Sequence, residues 1–220
     1  TKAYFVFAIP LAALYAAYGI CVALLARQRT GEGQEVQISL VDGMVSLLSF
    51  QADKYFGRGE IPEREGNDHG VTSPYGTFKA LDGYINIAPA GDHIWERFAR
   101  ALGREDLIRD PRFLTNDLRR EHREEINRII QEITSRRTMA EWIDELNKAG
   151  VPCGPIYNVA QVFADPQIRH QEMVLELEQP SGKVKTLGFP LKLSKTPAAL
   201  HRPSPQLGEH TNEILTSLGF

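Results

Sequence analysis

Few side chains in this sequence stand at the spacings that chemistry requires. Six histidines, His69, His93, His122, His170, His201 and His210, are scattered along the chain, and only two cysteines, Cys21 and Cys153, are present. No set of them falls at a metal-ligand interval, so no metal is expected. Phosphate loops, GxGxxG, GxSxG, HExxH and CxxC are all missing. The segment that gathers polar groups and glycine is Asn67-Asp68-His69-Gly70. Those residue types suit a ligand loop, and they suit a plain linker turn equally well. Asp42 has a simpler task, because Ser39 and Asp42 fit a helix capping box. Arg119, Arg120, His122 and Arg123 alternate with Glu121, Glu124 and Glu125, the pattern of a solvated helix face stabilised by i,i+4 pairs.

Composition narrows the class further. Over 220 residues, 42% are hydrophobic and 24% charged, which excludes a disordered or disulfide-stapled chain. The net charge of −3 gives no electrostatic case for a nucleic-acid partner. Two isolated cysteines point to a reducing, cytoplasmic setting.

Those candidate residues need elements to position them. Residues 3–26 carry no charge, with Lys2 before them and Arg27 and Arg29 after. Such a stretch is long enough to span a bilayer. It is also rich in alanine and holds Pro10 and Gly19, as suits a helix sandwiched inside an α/β protein, and composition leaves both readings open. Gly31 is placed to end this helix; residues 35–39 alternate as a strand, and a second helix is expected over 40–56. The turn-rich stretch 57–72 reads as a linker. Beyond it, Asp82-Gly83 marks a hairpin between strands at 75–80 and 84–88. Helices are expected at 94–102 and 118–134, and from the Thr138/Glu141 capping box to Ala149-Gly150. Residues 151–155 read as a rigid turn. Strands at 174–179 and 183–188, joined through Pro180-Ser181-Gly182, precede a final helix.

Five motifs occur together and in order: LYAAYGICVALLARQRTGEGQEVQISLVDG, GNDHGVTSPYGTFKALDGYINIA, DPRF at 110–113, AGVPCGPI at 149–156 and LGEHTNEIL at 207–215. Through them the chain, from about Leu11 to its C-terminus, resembles the class III CoA-transferases, the CaiB/BaiF family. Residues 1–10 stand outside the resemblance. It implies an α/β fold, the C-terminal part of the family architecture. Residues 1–57 would be a remnant of the large Rossmann-like domain, 58–71 a linker, 72–165 a small α+β domain, and 166–220 a segment returning to the large domain. It also implies a soluble first helix, no membrane and an interlocked dimer, with active sites between the large domain of one chain and the small domain of the other. Coenzyme A would enter as a substrate, with no metal or redox cofactor.

The activity implied is transfer of CoA from an acyl-CoA to a carboxylic acid through an aspartyl intermediate. The positions matching the family's aspartate and the glycine after it hold Ile9 and Ala13, so this chain by itself is expected to be inactive. Two accounts follow. Residues 1–10 are foreign sequence, from truncation, a frameshift or a mispredicted start, which is the favoured account. Alternatively, the chain is a degenerate paralogue serving as a non-catalytic partner subunit that interlocks with a full-length one. The racemase branch of the family would carry a glutamate at the place of Gly91, so that branch is disfavoured. The resemblance puts Asn67, His69 and Gly70 in a loop that covers the reacting thioester in transferases. With part of the large domain lacking, the apolar first helix is expected to stay uncovered, and a well-behaved monomer is not expected.

Overall fold

Alanine and glycine, rather than large side chains, bring the first two helices together. The computed structural model describes residues 2–64, 66–179, 182–200 and 204–220, with side chains from residue 7 onward. The chain divides into two units, one ending at Gly66 and the other beginning at Asn67. In the first, α1 (Lys2–Thr30) passes through Pro10 and is ended by Gly31, whose φ of 78° and N–H bond to the Arg27 carbonyl form a left-handed cap. Helix α2 (Leu40–Ser46) meets it where Ala8, Ala12 and Gly43 are buried, and Tyr15 Oη lies 3.0 Å from Ser46 Oγ. Gly19 lies at a close approach: a Cβ there would come within 2.8 Å of Val36 Cγ1, and the Val36 side chain would have to shift.

Two expectations fail in this unit. Residues 35–39 form no strand, because no strand among the described residues of the unit offers them a ladder, and an unpaired extended segment is not a sheet. The helix expected over 40–56 is two helices, α2 and α3 (Phe50–Arg58). Tight i→i+3 bonds from Leu47 and Leu48 close α2, Ser46 Oγ turns back onto the Gly43 carbonyl, and Ser49 takes a φ of 44°. Ser39 does cap α2, its Oγ accepting from the Asp42 N–H at 3.0 Å. From Phe7 to Thr30, α1 is long and apolar enough to cross a membrane, and most of it is exposed, including Phe7, Leu14, Tyr18 and Leu25.

The second unit has a core of the ordinary kind. Strands β1 (Gly76–Lys79), β2 (Tyr84–Ile87) and β3 (Cys153–Pro155) make an antiparallel sheet in the order β1-β2-β3. The expected hairpin forms with Gly76 opposite Ile87 and Lys79 opposite Tyr84. β3 replaces the expected rigid turn: residues 153–155 pair with 85–87, a non-local ladder that the Pro-Cys-Gly-Pro spelling conceals. Phe78, Ile85 and Ile87 point from the sheet into a cluster with Trp95 and Phe98 of α4 (Asp92–Ala101), Leu107 of α5 (Asp106–Arg109), Ile126 and Ile130 of α7 (Arg123–Thr134), and Trp142 and Leu146 of α8 (Met139–Lys148). The four-residue spacing on α7 and α8 gives each helix one apolar stripe. Buried Trp142 donates its indole N–H to the Thr134 carbonyl at 2.8 Å.

The charged helix expected over 118–134 is interrupted. α6 (Asn116–Glu121) ends at His122, whose ψ of 28° leaves helical geometry before α7 begins. The Thr138/Glu141 capping box closes reciprocally at the start of α8. A second box, Asn158/Gln161, opens α9 (Val159–Ala164), and Asp165 caps α10 (Pro166–His170). Strands β4 (Val174–Gln179) and β5 (Gly182–Leu187) form a separate hairpin, and α11 (Thr211–Ser217) is the last helix. The expected turn residues Pro180 and Ser181 lie outside the described residues.

Core burial and capping should separate cleanly by magnitude. Leu146 is fully buried, so Leu146→Ala should cost about 3 kcal/mol through lost transfer energy and a cavity. Thr138→Ala should cost about 1 kcal/mol through the lost cap. Urea unfolding of each variant measures both.

Candidate functional site

Polar groups of the 67–75 segment are bonded to neighbouring elements, so the loop is held in place. The His69 N–H donates to the Tyr75 carbonyl at 2.9 Å, and the two rings stack with centroids 4.8 Å apart. His69 Nδ1 accepts from the N–H groups of Val71 and Thr72, each at 3.2 Å. With Nδ1 acting as acceptor, the neutral ring carries its proton on Nε2. From α6, Asn116 accepts from the Ser73 N–H and donates to the Val71 carbonyl. From α7, Arg123 donates to the His69 carbonyl at 2.9 Å and Asn127 donates to Asp68 at 3.2 Å. Gly70 is half-buried in this turn and Asn67 is exposed at its start. The peptide between Ser73 and Pro74 is cis.

Beneath the loop lies a buried charge. Arg119 is 1% exposed, and its guanidinium has three directed partners: the Ser73 carbonyl at 2.9 Å, the Phe113 carbonyl at 2.9 Å and Asp92 Oδ1 at 2.7 Å. It also sits 5.2 Å from the centroid of the Trp95 ring. One side chain thereby joins the loop, the 110–113 turn and the start of α4. The solvated-face reading of 119–125 is corrected here. Arg120 is exposed and faces Asp117 at 3.8 Å, but Arg119 is buried and Arg123 serves the loop. A buried guanidinium is hard to read from sequence, because its three partners lie 6, 27 and 46 residues away.

The remaining motifs have structural explanations. In the 110–113 turn, Arg112 bonds the Asp110 carboxylate with both side-chain and backbone donors, holding its pKa down to about 2. Because the folded value is depressed, this contribution is complete above the ordinary carboxylate range and is lost as pH falls toward 2. Phe113 fills the core. Burial pushes the Cys153 thiol above its ordinary pKa, which disfavours it as a nucleophile. Gly91 precedes α4 with a φ of 90°, a conformation strained for any side chain. Ile9, exposed, lies within α1. No three His, Cys, Asp or Glu side chains among the described residues converge on a metal-sized site.

The model of CoA-transferase family III matches residues 1–211. The chain belongs to CoA-transferase family III. An acyl-CoA transferase of Fusarium pseudograminearum is 36% identical over 91% of this chain and 45% of its own length. The human succinyl-CoA:glutarate CoA-transferase is 34% identical over 92% of this chain and 46% of its own. Among solved structures, a CAIB/BAIF family protein from Brucella suis is 37% identical and superposes with a TM-score of 0.78, covering 94% of this chain and 54% of that one. The chain spans about half the length of the curated relatives it matches. The fold is therefore part of the mixed α and β architecture of CoA-transferase family III. The match takes in residues 1–10, correcting the expectation that they stand outside the family.

The Arg119 clamp should depend on its buried carbonyl partners more than on its ion pair. Asp92 is 67% exposed, so Asp92→Asn should cost no more than about 1 kcal/mol. Arg119→Met strands two carbonyls and should cost about 3 kcal/mol. Amide hydrogen exchange over residues 67–75 should quicken in Arg119→Met and stay slow in Asp92→Asn.

Proposed function

We propose that this chain provides the small domain and adjoining segments of an enzyme that moves CoA from an acyl-CoA to a carboxylic acid through an aspartyl intermediate. The observation that carries this reading is the family match along residues 1–211. Relatives named for succinyl-CoA with glutarate, D-citramalate or mesaconate favour a dicarboxylic acyl donor and acceptor. Asn67, His69 and Gly70 form the loop facing the CoA thioester, with the His69 ring presented by its Tyr75 stack. The racemase branch is disfavoured: Gly91 lacks a proton-transferring side chain, and its φ of 90° suits glycine rather than glutamate.

Ile9 cannot form an acyl anhydride, so the attacking carboxylate must come from other sequence. The same observation fits a second reading, in which the chain is a non-catalytic subunit interlocked with a full-length paralogue. The two readings separate in a transfer assay. The chain alone should give no transfer from succinyl-CoA to a dicarboxylic acid. Joined to an N-terminal half that supplies the family's aspartate, it should turn over; a folded but inert fusion favours the subunit.

We further propose that protein, not lipid, covers α1, in a cytoplasmic dimer formed with a second copy or a paralogue. Support comes from the family match and from the alanine-rich α1 surface around Ala8 and Ala12, which already packs on α2. In detergent-free buffer at low micromolar concentration, sedimentation should report a dimer or larger species. A stable 24.7 kDa monomer that binds no hydrophobic dye would refute this.

A further inference from the structure

Where α9 and α10 meet the β4–β5 hairpin, a cavity of about 720 Å³ is lined by Phe163, Arg169, Val174, Lys185, Thr186 and Leu187. That volume falls within the range of roughly 300–1,000 Å³ that small-ligand sites occupy. The apolar part of the lining follows from the hairpin register. Gly188 donates its N–H to the Met173 carbonyl, so the next pair, Val174 opposite Leu187, is of the non-hydrogen-bonded kind, whose side chains stand closest. With Phe163 of α9 they give the cavity one apolar side, yet Leu187 remains 67% exposed. Two residues along the same face of the hairpin, Glu176 stands opposite Lys185, and the surface turns from apolar to charged.

The charged part is held but not neutralised. Arg169 donates through Nε to the Phe163 carbonyl at 3.3 Å, which orients the guanidinium at the cavity and leaves both terminal nitrogens for another acceptor. Among the described residues no carboxylate forms an ion pair with it. Asp165, one turn earlier, caps α10 instead, its Oδ1 accepting from the Gln167 and Ile168 N–H groups at 2.8 and 3.2 Å. Lys185 does face Glu176, but at 3.7 Å and with both side chains exposed, a pair too long for a hydrogen bond and weak in water. The cavity therefore offers an oriented guanidinium fork and a second, loosely paired cation beside an apolar side.

We infer that this cavity binds a small carboxylic acid with an aromatic or branched apolar body. The carboxylate takes the terminal nitrogens of Arg169 as a bidentate pair, the geometry a guanidinium matches best, and Lys185 adds its charge at the rim. The apolar body lies on Val174, Leu187 and Phe163 and removes the exposed Leu187 side chain from water. An alcohol of the same shape would forgo the guanidinium, and a bare inorganic anion would forgo the apolar side, so neither satisfies both halves of the lining. The site shares no residue with the 67–75 loop or the β1-β2-β3 sheet, and it does not rest on the CoA reading above.

The test is ¹H–¹⁵N NMR of the whole chain titrated with phenylbutyrate and, separately, with phenylbutanol and with inorganic phosphate. Phenylbutyrate should shift the backbone amides of Phe163, Arg169, Val174 and Leu187 along one saturable curve. Arg169→Met should weaken its binding at least about tenfold, the worth of a charge-assisted pair, with the amides of the Ile85 and Ile87 core unmoved as evidence that the variant folds. Leu187→Ser, at an exposed position, should weaken it about fivefold through lost apolar contact. No saturable shift at these residues overturns the inference. Phenylbutanol binding as tightly as phenylbutyrate also overturns it, the cavity then being an apolar patch without a role for Arg169. Phosphate binding as tightly overturns it from the other side, the cations then holding any anion.

Discussion

One buried positive charge organises the second unit. Arg119 pays a desolvation cost that only close partners offset, and it has them in two backbone carbonyls, a carboxylate and the Trp95 ring. The partners come from three segments, so the loop, the 110–113 turn and the N-terminal part of α4 cannot drift independently without stranding a polar group. Lysine would not substitute, because a single ammonium lacks the planar fork that reaches Ser73, Phe113 and Asp92 at once. The order of the 67–75 segment thus descends from a residue that is invisible from its surface.

The two units show opposite ways of burying apolar surface. Helices α4, α7 and α8 carry one apolar stripe each, and all three stripes close on the sheet around Ile85 and Ile87. Their outer faces are charged, as the i,i+4 pairs Glu96–Arg100, Arg128–Glu132 and Asp144–Lys148 illustrate. Helix α1 has no polar face between Phe7 and Ala26, and small residues over part of its length make α2 its neighbour on one side. A helix apolar all round needs cover on all sides. The exposed Leu14, Tyr18 and Leu25 show how much of that requirement the described residues leave unmet.

What the sequence reveals follows the range of the interaction. Ser39, Thr138 and Gly31 were legible because each acts on backbone within four residues of itself, and Asp82-Gly83 because a hairpin is closed by its own turn. β3 was not legible: its partner strand lies more than 60 residues earlier, and two prolines within four residues argue locally for a turn. The break at His122 was hidden for a related reason. Helical periodicity runs straight through 118–134, because buried Arg119, Ile126 and Ile130 stand at spacings that one continuous helix would place on one face, so the pattern gives no sign of the interruption. At the candidate site, composition marked Asn67-Asp68-His69-Gly70 as a turn, and only the family resemblance singled out Asn67, His69 and Gly70. Of the residues that hold it, Arg119 and Arg123 read as a solvated helix face, and nothing in the sequence singled out Asn116 or Asn127.

Gly91 and Asp92 show how a structural commitment restricts chemistry. Gly91 takes a φ of 90° so that α4 can start where Asp92 meets Arg119. A side chain at position 91 would work against that backbone. The carboxylate at 92 is already engaged by the Arg119 guanidinium at 2.7 Å. The one nearby thiol, Cys153, is held protonated by burial. Where the 67–75 loop meets α4, α6 and α7, the fixed groups are donors, acceptors and a stacked imidazole rather than a strong nucleophile. Such a surface can hold a neighbouring group through hydrogen bonds and stacking.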